Sequence, residues 1–105
     1  MNIEKIRKRF IPMSETMFYI LLSLQEKRHG YGIMQYVKEL TKGRIVLGAG
    51  TIYQSLGKLE GDGLITQVDE IDRKKNYVIT SIGKEILLEE ARRIKEIYHS
   101  VEGLL

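Results

Sequence analysis

The sequence predicts a small, mostly α-helical domain that carries one β-hairpin and ends in a long helix. Three observations support this class. Apolar residues recur at helical spacing in several stretches before residue 61. Two short runs rich in β-branched and aromatic residues follow, joined by a charged turn. From residue 82 onward, an apolar stripe recurs at helical spacing to the end of the chain. The 105 residues suffice for one hydrophobic core.

The chain begins with a basic arm that precedes a buried helix. Ile3, Ile6 and Phe10 recur at helical spacing among lysines and arginines, which predicts a short helix that lies on the rest of the domain or on a partner chain. The run MFYILLSL is apolar almost all round and belongs to a helix predicted at about residues 14–27, capped by Ser14. We therefore expect this second segment to be deeply buried.

Two further helices are predicted before the hairpin. The first spans Tyr31 to Leu40 and has one apolar face. A loop follows, with a possible short strand from Arg44 to Leu47. The next helix runs from about Ala49 to Glu60, and it ends where a glycine can adopt a left-handed cap conformation. Its buried stripe consists of Ile52, Leu56 and Leu59. Gly61 and Gly63 terminate the helix.

The helix at 49–60 is unusual in its glycine content. Glycine inside a helix costs about 0.5–1 kcal/mol relative to alanine. A helical projection places Thr51, Gln54 and Lys58 on the exposed side, together with Gly57, while Tyr53 and Ser55 lie on the flanks. Gln and Lys can bind base edges in a DNA major groove, and a glycine there permits close approach. An ordinary solvated helix face remains the alternative.

The predicted hairpin has a basic tip. Its strands cover about residues 64–70 and 75–80, and Arg73, Lys74 and Lys75 lie at or beside the turn. Such cations can contact a phosphate backbone or enter a minor groove. Alternatively, the neighbouring carboxylates at 69, 70 and 72 form a salt-bridged turn. A helix-turn-helix followed by a basic hairpin is typical of a winged helix-turn-helix, with residues 49–60 in the major groove.

The last helix, predicted from about Ile82 and capped by Thr80, carries an apolar stripe that is too wide for its own small domain. We expect it to form a dimer interface, together with the N-terminal arm. Packing back onto the same chain is the alternative. The expected dimerisation residues are Ile3, Ile6, Phe10, Leu87, Ala91, Ile94, Ile97, Tyr98, Val101, Leu104 and Leu105.

Three motifs resemble the PadR-like winged-helix transcriptional regulators. These are HGYGI at 29–33, LGAGTIYQSLGKLEGDGLI at 47–65 and RKKNYVITSIGKEIL at 73–87. The resemblance covers about residues 16–90. The chain departs from the family pattern where Gly48 replaces a frequent serine, Ala49 the usual proline, Asn76 a frequent aromatic residue and Val78 a frequent polar residue.

The resemblance implies a homodimeric, repressor-like protein that binds a pseudo-palindromic operator in double-stranded DNA. It implies backbone contacts for Thr51 and Tyr53, while Gln54 and Lys58 are the candidates for base edges. Tyr31 either touches phosphate or packs its helix. The full set of expected DNA-binding residues is Tyr31, Thr51, Tyr53, Gln54, Ser55, Lys58, Arg73, Lys74 and Lys75. Residues 1–80 would form the arm and the DNA-binding domain, and residues 81–105 the dimerisation helix.

A single helix after the wing resembles the small PadR subfamily, some of whose members bind flat aromatic or multidrug-like compounds between subunits. Here Phe10, Met13, Tyr19 and Tyr98 are the candidates to line such a cavity. Core packing is the alternative role for these four side chains. The sequence contains no tryptophan to stack on a planar effector.

Composition argues against other function classes. The sequence has two histidines and no cysteine, and we find no metal-ligand spacing, phosphate-binding loop or cofactor motif, so we expect neither an enzyme nor a cofactor. Residues 1–63 carry ten basic against six acidic side chains, which alone is weak evidence for a polyanion partner. We expect no membrane span or signal peptide. The lack of cysteine fits a reducing compartment, so we expect a cytoplasmic protein. The main alternative is a winged-helix protein-interaction module that does not bind DNA.

Overall fold

The computed structural model describes residues 2–105 and confirms the predicted class. Five α-helices surround a core that also takes in one face of an antiparallel hairpin. No helix of residues 2–105 is both long enough and apolar enough to cross a membrane. The elements are α1 Ile3–Phe10, α2 Glu15–Ser23, α3 Gly30–Leu40, α4 Ala49–Gly61, β1 Ile65–Ile71, β2 Lys74–Ile79 and α5 Ser81–Val101, with a 3₁₀ turn at Glu102–Leu104.

The core joins α2, α3, α4 and the first half of α5. Ile20, Ile33, Ile52 and Ile86, one from each of these helices, are fully buried. Burial of α2 is as predicted, although α2 ends at Ser23 rather than near residue 27. The helix ends early because residues 24–28 turn away to pair with the hairpin.

The hairpin is fastened to the segment before α3. The backbone N–H of Arg28 donates to the carbonyl of Tyr77 at 3.1 Å, and the Tyr77 N–H donates back at 2.9 Å. The Ile79 N–H also donates to the Leu24 carbonyl at 2.8 Å. The sequence did not predict this bridge, because one pair of residues is too short to produce the alternation of apolar and polar residues that indicates a strand. These bonds set where the hairpin stands relative to the helices.

The strand predicted from Arg44 to Leu47 is wrong. These residues form an irregular loop, because no strand of the described chain lies alongside them. Leu47 is buried, whereas Val46 points outward. The loop leads directly into α4.

Two predicted caps are confirmed. Gly63 has a φ of +79°, so it is the left-handed residue after α4. Thr80 caps α5, since its Oγ1 accepts from the Gly83 N–H at 3.1 Å and also donates to the Gly63 carbonyl at 2.6 Å. Thr80 thus links the end of α4 to the start of α5.

The arm helix α1 packs against α5 of its own chain. Ile6 and Phe10 are buried in this core, and Arg7 Nε donates to Glu89 Oε1 at 2.9 Å. Fully buried Glu90 accepts from the Met13 N–H and from Arg93 Nε, the latter at 2.5 Å. Burial of this carboxylate is possible because it is paired and hydrogen-bonded. The division of the chain at residue 80 stays a prediction.

Candidate nucleic-acid interface

Helix α4 buries its apolar stripe and exposes a polar face. Ile52, Leu56 and Leu59 face the core, while Thr51, Tyr53, Gln54 and Lys58 are all exposed. This distribution follows from the 3.6-residue period of the helix. The exposed face therefore carries an amide, an ammonium group and two hydroxyls, all of which can hydrogen-bond to a partner.

Ser55 was expected to contact DNA, but its side chain is buried. Its relative exposure is 8%, so the side chain lies against the protein rather than on the open face of α4. Ser55 sits at the edge of the apolar stripe, where the helical projection left its orientation open. A hydroxyl is small enough to be covered there by its neighbours.

The glycines of α4 face open space. A Cβ built on Gly50, Gly57 or Gly61 would meet no heavy atom within 4 Å. The fold of this chain does not itself require glycine at these positions. The N-cap, Gly48, also provides no side-chain hydrogen bond to the first turn. Backbone amides at the start of α4 are thus left for an external acceptor.

A groove of about 330 Å³ lies between α4, the start of α3 and the hairpin tip. It brings Tyr31 and Tyr53 together with the tip cations, although the two tyrosines are on different helices. Six of its lining residues are His29, Tyr31, Tyr53, Arg73, Lys74 and Lys75. The groove combines phenol, imidazole and cationic groups, which together suit a phosphate backbone.

The tip cations are not neutralised within the protein. Among residues 2–105, no carboxylate oxygen lies within 4.0 Å of the charged nitrogens of Arg73, Lys74, Lys75 or Lys58. A salt-bridged turn is therefore not what the structure contains. By contrast, six other cations have such partners: Arg7, Arg9, Lys27, Arg28, Arg44 and Arg93. Positive charge thus remains available on the α4 and hairpin side.

Asp69 binds Lys27 and Asn76 in the middle of the hairpin instead of neutralising the hairpin tip. Its Oδ2 accepts from Lys27 Nζ at 2.7 Å, and its Oδ1 accepts from Asn76 Nδ2 at 2.7 Å. The hydrogen bond from Lys27, followed by that from Asn76, holds the pKa of the Asp69 carboxyl below its usual range. A β-bulge at residue 68 accompanies this arrangement. Asn76, a departure from the family pattern, therefore has a structural role.

The start of α3 supplies one expected residue and one that sequence analysis missed. Tyr31 is 59% exposed, and its hydroxyl accepts from Gln35 Nε2 at 3.1 Å. His29 caps α3, since its Nδ1 accepts from the Gly32 N–H at 3.1 Å. The His29 ring also lines the groove, a role that the sequence analysis did not assign to it. Its position directly before Gly30 and Tyr31 was the available signal.

The expected dimerisation residues fall into two groups. Ile6, Phe10 and Leu87 are buried within their own chain, so they face its core rather than solvent. Ile3 and Val101 are partly buried. The exposed members all lie on the second half of α5 or after it: Ala91, Ile94, Ile97, Tyr98, Leu104 and Leu105.

The four candidate effector residues are only partly brought together. Met13 and Tyr19 line a cavity of about 380 Å³ with Phe18, Arg93 and Ile94. Phe10 is buried in the core, and Tyr98 is exposed further along α5, and neither lines this cavity. The rings of Phe18 and Tyr19 meet edge to face at 6.0 Å between centroids.

Comparison with known proteins identifies the family. The model of the PadR-like family of transcriptional regulators matches residues 17–89, which is more than half of the chain. The chain belongs to the PadR-like family. The members of this family are described as transcriptional regulators. The matched range includes α4, the hairpin and the groove between them.

Relatives of the PadR-like chain support this assignment. This chain is 30% identical over 98 residues to the transcriptional regulator YqjI of Escherichia coli. The alignment covers 92% of this chain and 47% of YqjI. The chain thus spans about half the length of that relative.

Solved structures share the fold. A PadR family transcription regulator from Clostridium difficile has a TM-score of 0.70 at 21% identity, covering 87% of this chain and 98% of that one. A transcriptional regulator from Clostridium thermocellum has a TM-score of 0.72 at 19% identity, covering 100% and 98%.

Proposed function

We propose that this PadR-like chain binds a pseudo-palindromic DNA operator as a homodimer and represses transcription there. The observation that carries the proposal is the surface of α4. Its exposed side is polar, contains open glycines and lies beside hairpin cations that have no carboxylate partner. A major groove about 12 Å wide accommodates one α-helix.

The residues divide into base readers and backbone contacts. Gln54 can pair with adenine, and Lys58 can reach guanine acceptors, because both side chains project from the open face of α4. Thr51, Tyr53 and Tyr31 supply hydroxyls to the sugar-phosphate backbone, as do the free amides at the start of α4. Arg73, Lys74 and Lys75 hold the hairpin on the backbone or in the adjacent minor groove. Ser55 is left out because it is buried.

The second half of α5 is the proposed dimer interface. Ile97 and Tyr98 are half exposed on the part of α5 that extends beyond the core, and Leu104 and Leu105, which follow α5, are almost fully exposed. Apolar surface of this extent favours association with a second copy. A twofold axis there would place two α4 helices about 34–36 Å apart, which is one turn of DNA.

Repression would follow from occupancy of a promoter by the dimer. A small aromatic effector would release the DNA by binding in the cavity beside Met13, Tyr19 and Ile94, which lies next to the proposed dimer interface. The edge-to-face pair of Phe18 and Tyr19 offers an apolar wall. The charged side chains of the lining are Glu15 and Arg93, the latter paired with Glu90. Of the four residues expected at this site, the proposal retains Met13 and Tyr19.

A protein-interaction module without DNA binding is the competing function. The unpartnered cations near α4 favour DNA, because protein-binding surfaces are depleted in lysine. A salt titration of binding to duplex DNA tests the choice. Three phosphate contacts per protomer, from the three hairpin cations, predict that log K falls with log salt with a slope of about −2.7 per protomer. No binding to duplex DNA even at low salt would contradict the proposal.

A further inference from the structure

The turn between α3 and α4 contains a lysine in a conformation that favours glycine. Lys42 has a φ of +52°. Its N–H donates to the Glu39 carbonyl at 3.1 Å, and the next N–H, of Gly43, donates to the Lys38 carbonyl at 2.8 Å. This pair of bonds defines a Schellman motif, whose left-handed position is usually glycine. The backbone therefore requires the left-handed conformation whatever side chain is present.

Helix α4 also ends in a Schellman motif, but there the left-handed residue is a glycine. The Gly63 N–H donates to the Glu60 carbonyl at 3.0 Å, and the Leu64 N–H donates to the Leu59 carbonyl at 2.9 Å. Gly63 occupies the left-handed position there, with a φ of +79°. One chain thus uses glycine after α4 but lysine after α3. Because the lysine is conformationally disfavoured, its side chain is the feature that needs a reason.

Lys42 lines a second groove that continues from the first. This groove, of about 530 Å³, lies between α3 and the loop before α4, and Tyr31 lines both grooves. Tyr31, Gln35 and Lys38 follow one another along α3 at intervals of four and three residues, so they share one face of the helix. Lys42 lies just beyond the helix, in the left-handed position of the turn, and lines the same groove. The helical part of this row is about 10 Å long, so that the row with Lys42 can contact more than one phosphate of one DNA strand.

The two lysines of this row are also free of internal ion pairs. Within residues 2–105, neither Lys38 nor Lys42 has a carboxylate oxygen within 4.0 Å. Both are exposed, and Glu39 is the acidic residue among those that line the groove. Because two lysines outnumber the one carboxylate in this groove, the net charge along the two grooves is positive from the hairpin tip, past Tyr31, to Lys42.

We propose that Lys38 and Lys42 extend the DNA interface along α3, so that one strand's phosphate backbone lies over the row from Tyr31 to Lys42. This inference rests on the proposed DNA binding and adds contacts that carry no sequence information. In this proposal, the phosphate contact of its ammonium group is the reason for a lysine at the left-handed position. Sequence analysis missed both residues, because isolated lysines on a helix usually indicate a solvated face.

The test uses fluorescence anisotropy of the full chain with a short duplex of arbitrary sequence, titrated with salt. Lys42→Gly keeps the backbone motif, so we expect an unchanged or higher thermal midpoint. Its affinity should nevertheless fall by about tenfold at low salt, because a charge-assisted contact is lost. The salt slope should fall in magnitude by about 0.9 for each contact removed. Lys38→Gln should act similarly, and Glu39→Gln should strengthen binding.

Lys84→Gln is the matched control, since Lys84 is exposed on α5 and forms no ion pair with residues 2–105, and its loss should leave the affinity close to that of the wild type. The inference is overturned if the wild type binds DNA while Lys42→Gly and Lys38→Gln bind with the same affinity and slope. It is also overturned if Lys84→Gln weakens binding as much as they do. Failure of the wild type itself to bind duplex DNA would contradict the proposed function, and the inference with it.

Discussion

Gly83 lies directly against the backbone of Leu64. A Cβ on Gly83 would be 2.1 Å from the Leu64 carbonyl oxygen and 2.7 Å from Cγ1 of Ile79. The first turn of α5 can therefore approach the junction between α4 and β1 only because residue 83 has no side chain. This contact fixes the direction in which α5 leaves the domain, and hence how a dimer through α5 would orient its two α4 helices.

Gly83→Ala should destabilise the fold. The added methyl group meets a backbone carbonyl, which cannot move away as the end of a flexible side chain could. Overpacking of this kind typically costs about 1–3 kcal/mol. Urea unfolding followed by circular dichroism measures the change. Gly57→Ala is the control, because a Cβ there meets nothing; equal stability of Gly83→Ala and the wild type would show that the contact is not tight.

Gly57→Ala should have opposite effects on stability and on DNA binding. In the interior of a helix, alanine is favoured over glycine by about 0.5–1 kcal/mol, and the site is open, so the free protein should become more stable. Binding to the operator should weaken, because the new methyl group prevents close approach of α4 to the groove. Thermal unfolding and anisotropy measure the two effects. Unchanged operator affinity would indicate that DNA does not approach Gly57.

Lys58 and the hairpin cations should contribute differently to DNA binding. Lys58→Ala should weaken operator binding and relax sequence preference, at a cost of about 1–3 kcal/mol for a lost base contact. Arg73→Ala combined with Lys74→Ala should lower affinity similarly on all sequences, since phosphate contacts carry no sequence information. Parallel titrations on operator and unrelated duplex separate the two. If both variants bind the operator as tightly as the wild type, the assigned roles are wrong.

Ile97→Glu should prevent dimerisation. Ile97 is half exposed in the second half of α5, so the chain folds without covering it, but a carboxylate there would be desolvated in a dimer. Sedimentation velocity should show a dimer for the wild type and a monomer for the variant. Leu88→Glu is the control, since Leu88 is similarly exposed on α5 but was not assigned to the interface. A dimer that survives Ile97→Glu would place the interface elsewhere.

Asp69 should make the fold sensitive to acid. Hydrogen bonds from Lys27 and Asn76 lower the pKa of its carboxyl in the folded protein. Because the pKa of Asp69 is lowered in the folded protein, its ionised carboxyl stabilises the fold fully above the unfolded pKa of about 3.9. This stabilisation is lost as the pH falls through the folded pKa. The stability difference between the wild type and Asp69→Asn should therefore shrink below about pH 4. A pH-independent difference would contradict this account.

Local patterns predicted the elements well, and tertiary contacts explain what they missed. The buried stripe of α4 and the left-handed Gly63 follow from spacing and from glycine chemistry, so both could be predicted. The bridge between Arg28 and Tyr77 could not, because it depends on where the hairpin folds back. The segment from Arg44 to Leu47 has residues typical of a strand, but it forms no strand, because no other strand of the described chain lies alongside it.

The candidate site was predictable where one helix carries it. The projection of α4 placed Thr51, Gln54 and Lys58 on the open face, and all three are exposed. It left Ser55 ambiguous, since a flank position is buried or exposed according to its neighbours. The first half of α5 was harder to interpret, because its apolar stripe is interrupted only by Glu90 and otherwise runs into the second half, although Leu87 packs in the chain's own core.

Protection of guanine N7 from methylation tests the central claim most directly. A duplex selected from a random pool by the protein itself would serve as the operator. Because N7 lies in the major groove, two α4 helices should protect two clusters of guanines centred about 10–10.5 base pairs apart, on one face of the duplex. Lys58→Ala should lose part of both clusters. Protein bound without any N7 protection would contradict the placement of α4 in the major groove.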